Sequence, residues 1–153
     1  MIMNFTVSEI EVYKTYPLRH TLLRKGKPLS SCHLDQDEAK ETLHFGAFLS
    51  DQIIGILSAF QNPCPQYSTP KGVQLRAIAV TPIHQRKGVA TLLIKSAVQH
   101  LNEKFNPDCI WLNARIAANS LYESNGFSPL GNPFEIKSIG THQCFIKILS
   151  NET

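Results

Sequence analysis

VQLRAIAVTPIHQRKGVATLLIKSAV, residues 73–98, carries a change of period within one short segment. Over residues 73–80 the chain alternates, with Val73, Leu75, Ala77 and Ala79 facing one way and Gln74, Arg76, Ile78 and Val80 the other, the period of a strand. Thr81-Pro82 ends it, because proline brings no N–H to a ladder. From Gly88 onward Val89, Leu92, Leu93, Ala97 and Leu101 recur at helical spacing, which predicts a helix to about Asn102. A strand, a short polar loop and a helix opening at a glycine make an anion site. The unpaired N–H groups of the first turn point outward, and the helix dipole adds positive potential there. Gly88 lets a ligand approach the backbone, small Ala90 leaves the approach open, and Arg86 and Lys87 supply matching charge. A plain helix start with two solvated cations fits the same residues. Neither the G-x-x-x-x-G-K-[ST] loop nor the three-glycine dinucleotide pattern is present.

Working outward, FTVSEIEV (residues 5–12) reads as a first strand, and Thr15-Tyr16-Pro17 as a capped helix start running through Leu18, Leu22 and Leu23 to Gly26. Residues 27–40 are polar and weakly periodic. LHFGAFL and IIGILSAF flank Asp51-Gln52 as a hairpin, and NPCPQYSTPKG (62–72) is an exposed loop. Downstream, CIWLNARI (109–116) is a strand, and Ala118 to Asn125 a short helix ended by Gly126. Phe127–Leu130 and Cys144–Leu149 are final strands, with Gly131-Asn132-Pro133 as a turn. This order predicts one mixed α/β (α+β) domain over residues 1–153, with helices covering a mostly antiparallel sheet.

Composition narrows the function classes. The 153 residues suffice for a core without disulfide or metal support, and 42% apolar with 18% charged residues describes a folded chain. The net charge of +3 is dispersed, which argues against a nucleic-acid partner. Cys32, Cys64, Cys109 and Cys144 show no C-x-x-C pair and no zinc-ligand spacing, so reduced thiols and no metal are expected. The start of the chain does not resemble a secretory signal, and no stretch reaches the ~18 apolar residues of a membrane span. The expectation is a soluble cytoplasmic protein without a membrane partner.

The run LRAIAVTPIHQRKGVATLL resembles the signature segment of the GCN5-related N-acetyltransferases (GNAT), whose Q/R-x-x-G-x-G/A pattern is met by Gln85, Gly88 and Ala90. A second segment agrees, ANSLYESNGF, where Asn119, Tyr122, Gly126 and Phe127 fall at the family's spacing. The resemblance implies the GNAT fold, acetyl-CoA as donor and a small-molecule primary amine as acceptor. It places the CoA pyrophosphate on the loop Gln85, Arg86, Lys87, Gly88, Val89 and Ala90, and the pantetheine arm on main-chain groups of Ile78, Ala79 and Val80. Asn119 would touch that arm, and the Tyr122 hydroxyl would reach the sulfur as general acid.

Such enzymes commonly carry a carboxylate on the signature strand, where this chain has Arg76, which cannot act as a base at neutral pH. Arg76 either binds a carboxylate or phosphate of the acceptor or sits in an ion pair, for example with Glu135. For the base, His142 at the start of the last strand stands first and Glu135 second, against an ordinary edge-strand histidine. His44 and His84 show no partner in the sequence, adjacent Cys32 and His33 would point apart on an extended chain, and Trp111 reads as core. A protein that keeps the CoA site but acts as a sensor or regulator is the competing reading. An exposed last strand is expected to offer an edge for a homodimer.

Overall fold

The computed structural model describes residues 4–149 of the chain. Strands β1 (Phe5–Ile10), β2 (Leu43–Leu49), β3 (Gln52–Gln61), β4 (Gly72–Val80), β5 (Cys109–Arg115), β6 (Ser128–Ile136) and β7 (Gly140–Ile148) form one sheet. Its order is β1-β2-β3-β4-β5-β7-β6, antiparallel at every pair except β4 with β5. That parallel pair needs a crossover, and α2 (Val89–Phe105) provides it. Buried Val89, Leu93, Ile94, Ala97 and Leu101 follow the helical repeat and form one core with Phe45, Leu57, Val73 and Leu75 of the sheet. Each of the valine, leucine, isoleucine and phenylalanine side chains among them contributes about 1.5–3 kcal/mol by leaving water.

On the opposite side, a 3-10 turn (Val12–Thr15), α1 (Tyr16–Leu18) and a π turn (Arg19–Leu23) succeed one another, followed by a 3-10 turn over Leu29–Cys32. Thr15 is not the expected cap. Its hydroxyl donates to Val12 O at 2.7 Å, because the helical path already begins at Val12, and the first strand stops at Ile10 rather than Val12. The helical path closes at Leu23, ahead of Gly26.

Three further expectations are corrected. The alternation of β4 breaks at Ala77, whose φ of 56° is left-handed, and the β3 register skips from Ile56–Ala79 to Ser58–Arg76. One extra residue on β4 makes a bulge that reverses the facing beyond it. Val80 therefore joins Val73 and Leu75 in the core, with Ile78 packed against it. Residues 131–133 are not a turn, since β6 runs through them with a register shift and the chain reverses after Ile136. The last strand is not an edge, because β7 lies between β5 and β6, and the edges are β1 and β6.

The bulge and the parallel pair together open the sheet. β4 and β5 are paired only at Gly72–Cys109, Val73–Ile110 and Gln74–Trp111. Beyond Gln74 the two strands part, which leaves main-chain groups on facing edges without ladder partners.

Candidate active site

A cavity of about 410 Å³ occupies the gap between the parted strands. Its walls come from Leu75 to Ile78 of β4, Leu112 to Arg115 of β5, the first helical path and the 3-10 turn after it, with Tyr122 and His142. Residues of both sheet faces contribute, because nothing bridges the strands there. Of the residues singled out in the sequence, Arg76, Ile78, Tyr122 and His142 meet around this one space.

Tyr122 is carried by α3 (Asn119–Ser124) and held against the Phe127 and Phe145 rings, at centroid distances of 6.1 and 6.0 Å. Gly126, at φ 86°, ends the helix so that Phe127 N can donate to Tyr122 O at 3.0 Å. Burial alone pushes the Tyr122 phenol up to about 12. At the start of the same helix, Asn119 Oδ1 is buried with no hydrogen-bond partner among the described residues, an acceptor waiting for a donor.

His142 is buried within β7 and stacks on Phe134. Its Nδ1 lies 2.9 Å from Gly140 O. A carbonyl only accepts, so Nδ1 carries the proton of the neutral ring and Nε2 keeps its lone pair. Arg115 is its cross-strand partner on β5.

At the head of α2 the chain passes through Arg86 at φ 62° and Gly88 at φ 84°. Gln85 Nε2 donates to Val80 O at 3.0 Å, and the His84 ring bonds to Thr81 Oγ1 at 2.9 Å, which fixes the loop to the end of β4. The first helical amide with an acceptor is that of Leu92, which donates to Gly88 O at 3.0 Å. No side chain caps the helix, and a Cβ added at Gly88 would meet nothing within 4 Å. The turn is therefore an open set of donors at the positive end of a 17-residue helix. These amides suit an anionic group such as a phosphate, and Asn119 Oδ1 suits an N–H donor.

Arg76 makes no ion pair with Glu135. Its guanidinium lies over the Phe60 ring at 5.7 Å, while Glu135 is exposed on β6, bonded to Thr141 Oγ1, outside the cavity. His44 has partners the sequence did not reveal. Its Nδ1 is 2.7 Å from Ser58 Oγ and its Nε2 3.0 Å from Asp37 O. Ser58 also accepts from buried Arg19, whose fork is held by Asp37 at 2.7 and 3.0 Å and by Cys32 O at 2.9 Å. His33 stacks on Tyr16, and Trp111 is core, its Nε1 donating to Asn62 O.

Arg19, Arg24 and Arg115 line the cavity and were not singled out from the sequence. For Arg115 a signal existed, since it follows Asn113 at strand spacing opposite buried Leu112 and Ala114. For Arg19 there was none, because its partner lies 18 residues away along a polar stretch. No group of metal-ligating side chains occurs among the described residues, and none of their helices is long and apolar enough to cross a membrane.

The fold is that of acyl-CoA N-acyltransferases. Residues 9–127 match the model of the acetyltransferase (GNAT) family, and the chain belongs to that family. It is 31% identical over 143 residues to the uncharacterised N-acetyltransferase YitI of Bacillus subtilis (strain 168), covering 94% of this chain and 95% of that one. Among solved structures it resembles an aminoglycoside 6'-N-acetyltransferase complexed with coenzyme A, with a TM-score of 0.75 and 14% identity over 97% and 99% of the two chains. The ribosomal-protein-S18-alanine N-acetyltransferase of Escherichia coli gives a TM-score of 0.73 and 19% identity over 98% and 97%. The chain is thus an acetyl-CoA-dependent N-acetyltransferase.

Proposed function

We propose that the chain acetylates the primary amine of a small-molecule acceptor bearing a carboxylate, by direct attack on acetyl-CoA through a tetrahedral intermediate. The observation that carries this reading is the meeting of Arg76, Tyr122 and His142 around the gap beside the bulge. The amides from Gln85 to Ala90 hold the donor's pyrophosphate, and Asn119 accepts from its arm. Main-chain groups of Ile78, Ala79 and Val80 hold the rest of that arm.

Arg76 takes the acceptor carboxylate and orients the amine. His142 Nε2 removes a proton from the ammonium, and the freed nitrogen forms the C–N bond at the thioester carbonyl. Main-chain N–H groups of the parted β4 edge stabilise the oxyanion. As the C–S bond breaks, Tyr122 hydrogen-bonds to the leaving sulfur, and the extra proton on the attacking nitrogen passes to that sulfur as the amide forms. Four buried unpaired thiols suit a reducing compartment, so we place the reaction in the cytoplasm. The β6 edge is where a second copy would pair.

The test is release of CoA thiol with a panel of small amines, alongside acetyl-CoA binding by thermal shift. Turnover on an amino-acid-like acceptor is expected. Tight acetyl-CoA binding with no turnover on any acceptor would replace the enzyme by a CoA sensor.

A further inference from the structure

Arg19, Arg24, Arg76 and Arg115 all line the cavity, and no aspartate or glutamate does. Their charges differ in how far they are compensated. Arg19 is neutralised by Asp37 in a fully buried pair, although its Nε remains buried without a partner. Arg24 gives Nε to Ser31 O at 3.3 Å and Nη1 to Leu23 O at 3.2 Å, neutral acceptors that leave its charge uncompensated. Arg76 rests on an aromatic ring. Arg115 has neither a hydrogen bond nor an ion pair among the described residues.

Three uncompensated guanidinium groups around one concave space repel one another, and low-dielectric walls focus their field into it. Arg115 is exposed and Arg24 and Arg76 are half-buried, so water relieves part of their charge, and the rest faces whatever enters the cavity they line. The β5–β7 register puts Arg115 directly across from His142, so the free charge stands beside the imidazole with the open Nε2.

We infer that Arg24, Arg76 and Arg115 form an acceptor subsite for a doubly charged anion, a phosphate monoester or two carboxylates, on the molecule that carries the amine. The inference rests on the acetyl-transfer reading and sharpens it. One carboxylate would satisfy Arg76 alone, whereas three free charges call for a second negative charge. Guanidinium forks match both phosphate and carboxylate oxygens. Polycationic amines are excluded by the same field, whatever fold is shared with an aminoglycoside 6'-N-acetyltransferase.

The experiment compares matched acceptors: ethanolamine with phosphoethanolamine, glucosamine with its 6-phosphate, alanine with aspartate and glutamate, and one polycationic aminoglycoside. CoA thiol release is followed at several salt concentrations with wild type, Arg115→Gln and the charge-matched control Lys95→Gln, on the exposed side of α2. The doubly anionic member of a pair should show a KM lower by about tenfold or more, and that advantage should shrink with salt. Arg115→Gln should raise its KM by a similar factor and that of the neutral member by much less, and Lys95→Gln, away from the cavity, should change neither. The phosphate and dicarboxylate pairs decide between the two anions.

Equal or better turnover of the neutral or cationic members, or an equal loss for both members in Arg115→Gln, overturns the subsite. If no acceptor turns over, calorimetric binding of phosphoethanolamine and glutamate is measured at saturating CoA, which fills the pyrophosphate loop. Binding that Arg115→Gln abolishes keeps the anion site while the transfer reading falls. No binding of either removes the site itself.

Discussion

Packed between Phe127 and Phe145, the Tyr122 hydroxyl is raised to about 12 by desolvation, so it carries its proton throughout the neutral range. That same shift limits it. Complete transfer to a thiolate of ordinary pKa ~8.5 is uphill by about 5 kcal/mol, so the phenol contributes chiefly a hydrogen bond to the charge growing on sulfur. Tyr122→Phe keeps the ring contacts and removes only the donor. It should lower kcat about a hundredfold and leave the acetyl-CoA dissociation constant near wild type. An unchanged kcat in steady-state assays removes Tyr122 from the mechanism. His142 obeys a different local constraint, since Gly140 O fixes which nitrogen is free. His142→Gly should lose about as much kcat, and added imidazole should restore part of it; without rescue, a packing role against Phe134 is the better account.

At the scale of elements, the start of α2 and the bulge of β4 decide how the donor is held. Gly88→Glu would place a carboxylate among amides that await an anion, on a residue forced to φ 84°. Acetyl-CoA should then give no thermal shift at concentrations that saturate wild type, and retained affinity would move the pyrophosphate elsewhere. The ion pair between Arg19 and Asp37 fastens the loop before β2 to the sheet. Asp37→Ala strands a buried guanidinium, and unfolding should become easier by about 3 kcal/mol or more in urea titration. A change under about 1 kcal/mol would mean that water reaches Arg19. The helix start was legible in the sequence because its signals are local: a proline, a glycine and an apolar repeat. The bulge was not, because Ala77 bears no mark of a left-handed residue and strict alternation put Val80 on the wrong face. Gly131 misled in the opposite sense. Its positive φ is real, yet pairing with β7 carries β6 through it. Candidate site residues on strands and motifs could be found from spacing, while Arg19 and Arg24 depend on where the first helical path docks, which only tertiary packing sets.

Across the whole molecule, one hydrogen-bonded ring joins the acceptor-side wall to the centre of the sheet, and its direction is fixed by chemistry. Asp37 O can only accept, so His44 Nε2 carries the proton, and Nδ1 must then accept from the Ser58 hydroxyl, which itself accepts from Arg19 Nη2. The ring closes only with neutral histidine. Burial is the largest cause lowering the His44 pKa from 6.5; the hydrogen bond to Asp37 O opposes it next, the Arg19 charge lowers it further, and the Asp37 and Glu9 charges oppose it more weakly. Because the folded value lies below the unfolded one, the stability tied to neutral His44 is complete above about pH 6.5. It is lost as pH falls from there through the folded value, where the unfolded chain takes up a proton the folded chain refuses. One titrating group sets a slope of at most about 1.4 kcal/mol per pH unit within that window. Urea midpoints measured between about pH 7 and about pH 5 should therefore fall more steeply for wild type than for His44→Gln, whose side chain can bond but does not titrate. Parallel curves would show that the proton enters elsewhere. The same ring sets the Cys32 and Arg19 side of the cavity, so acceptor KM should rise over the pH range in which the fold weakens, before the chain unfolds.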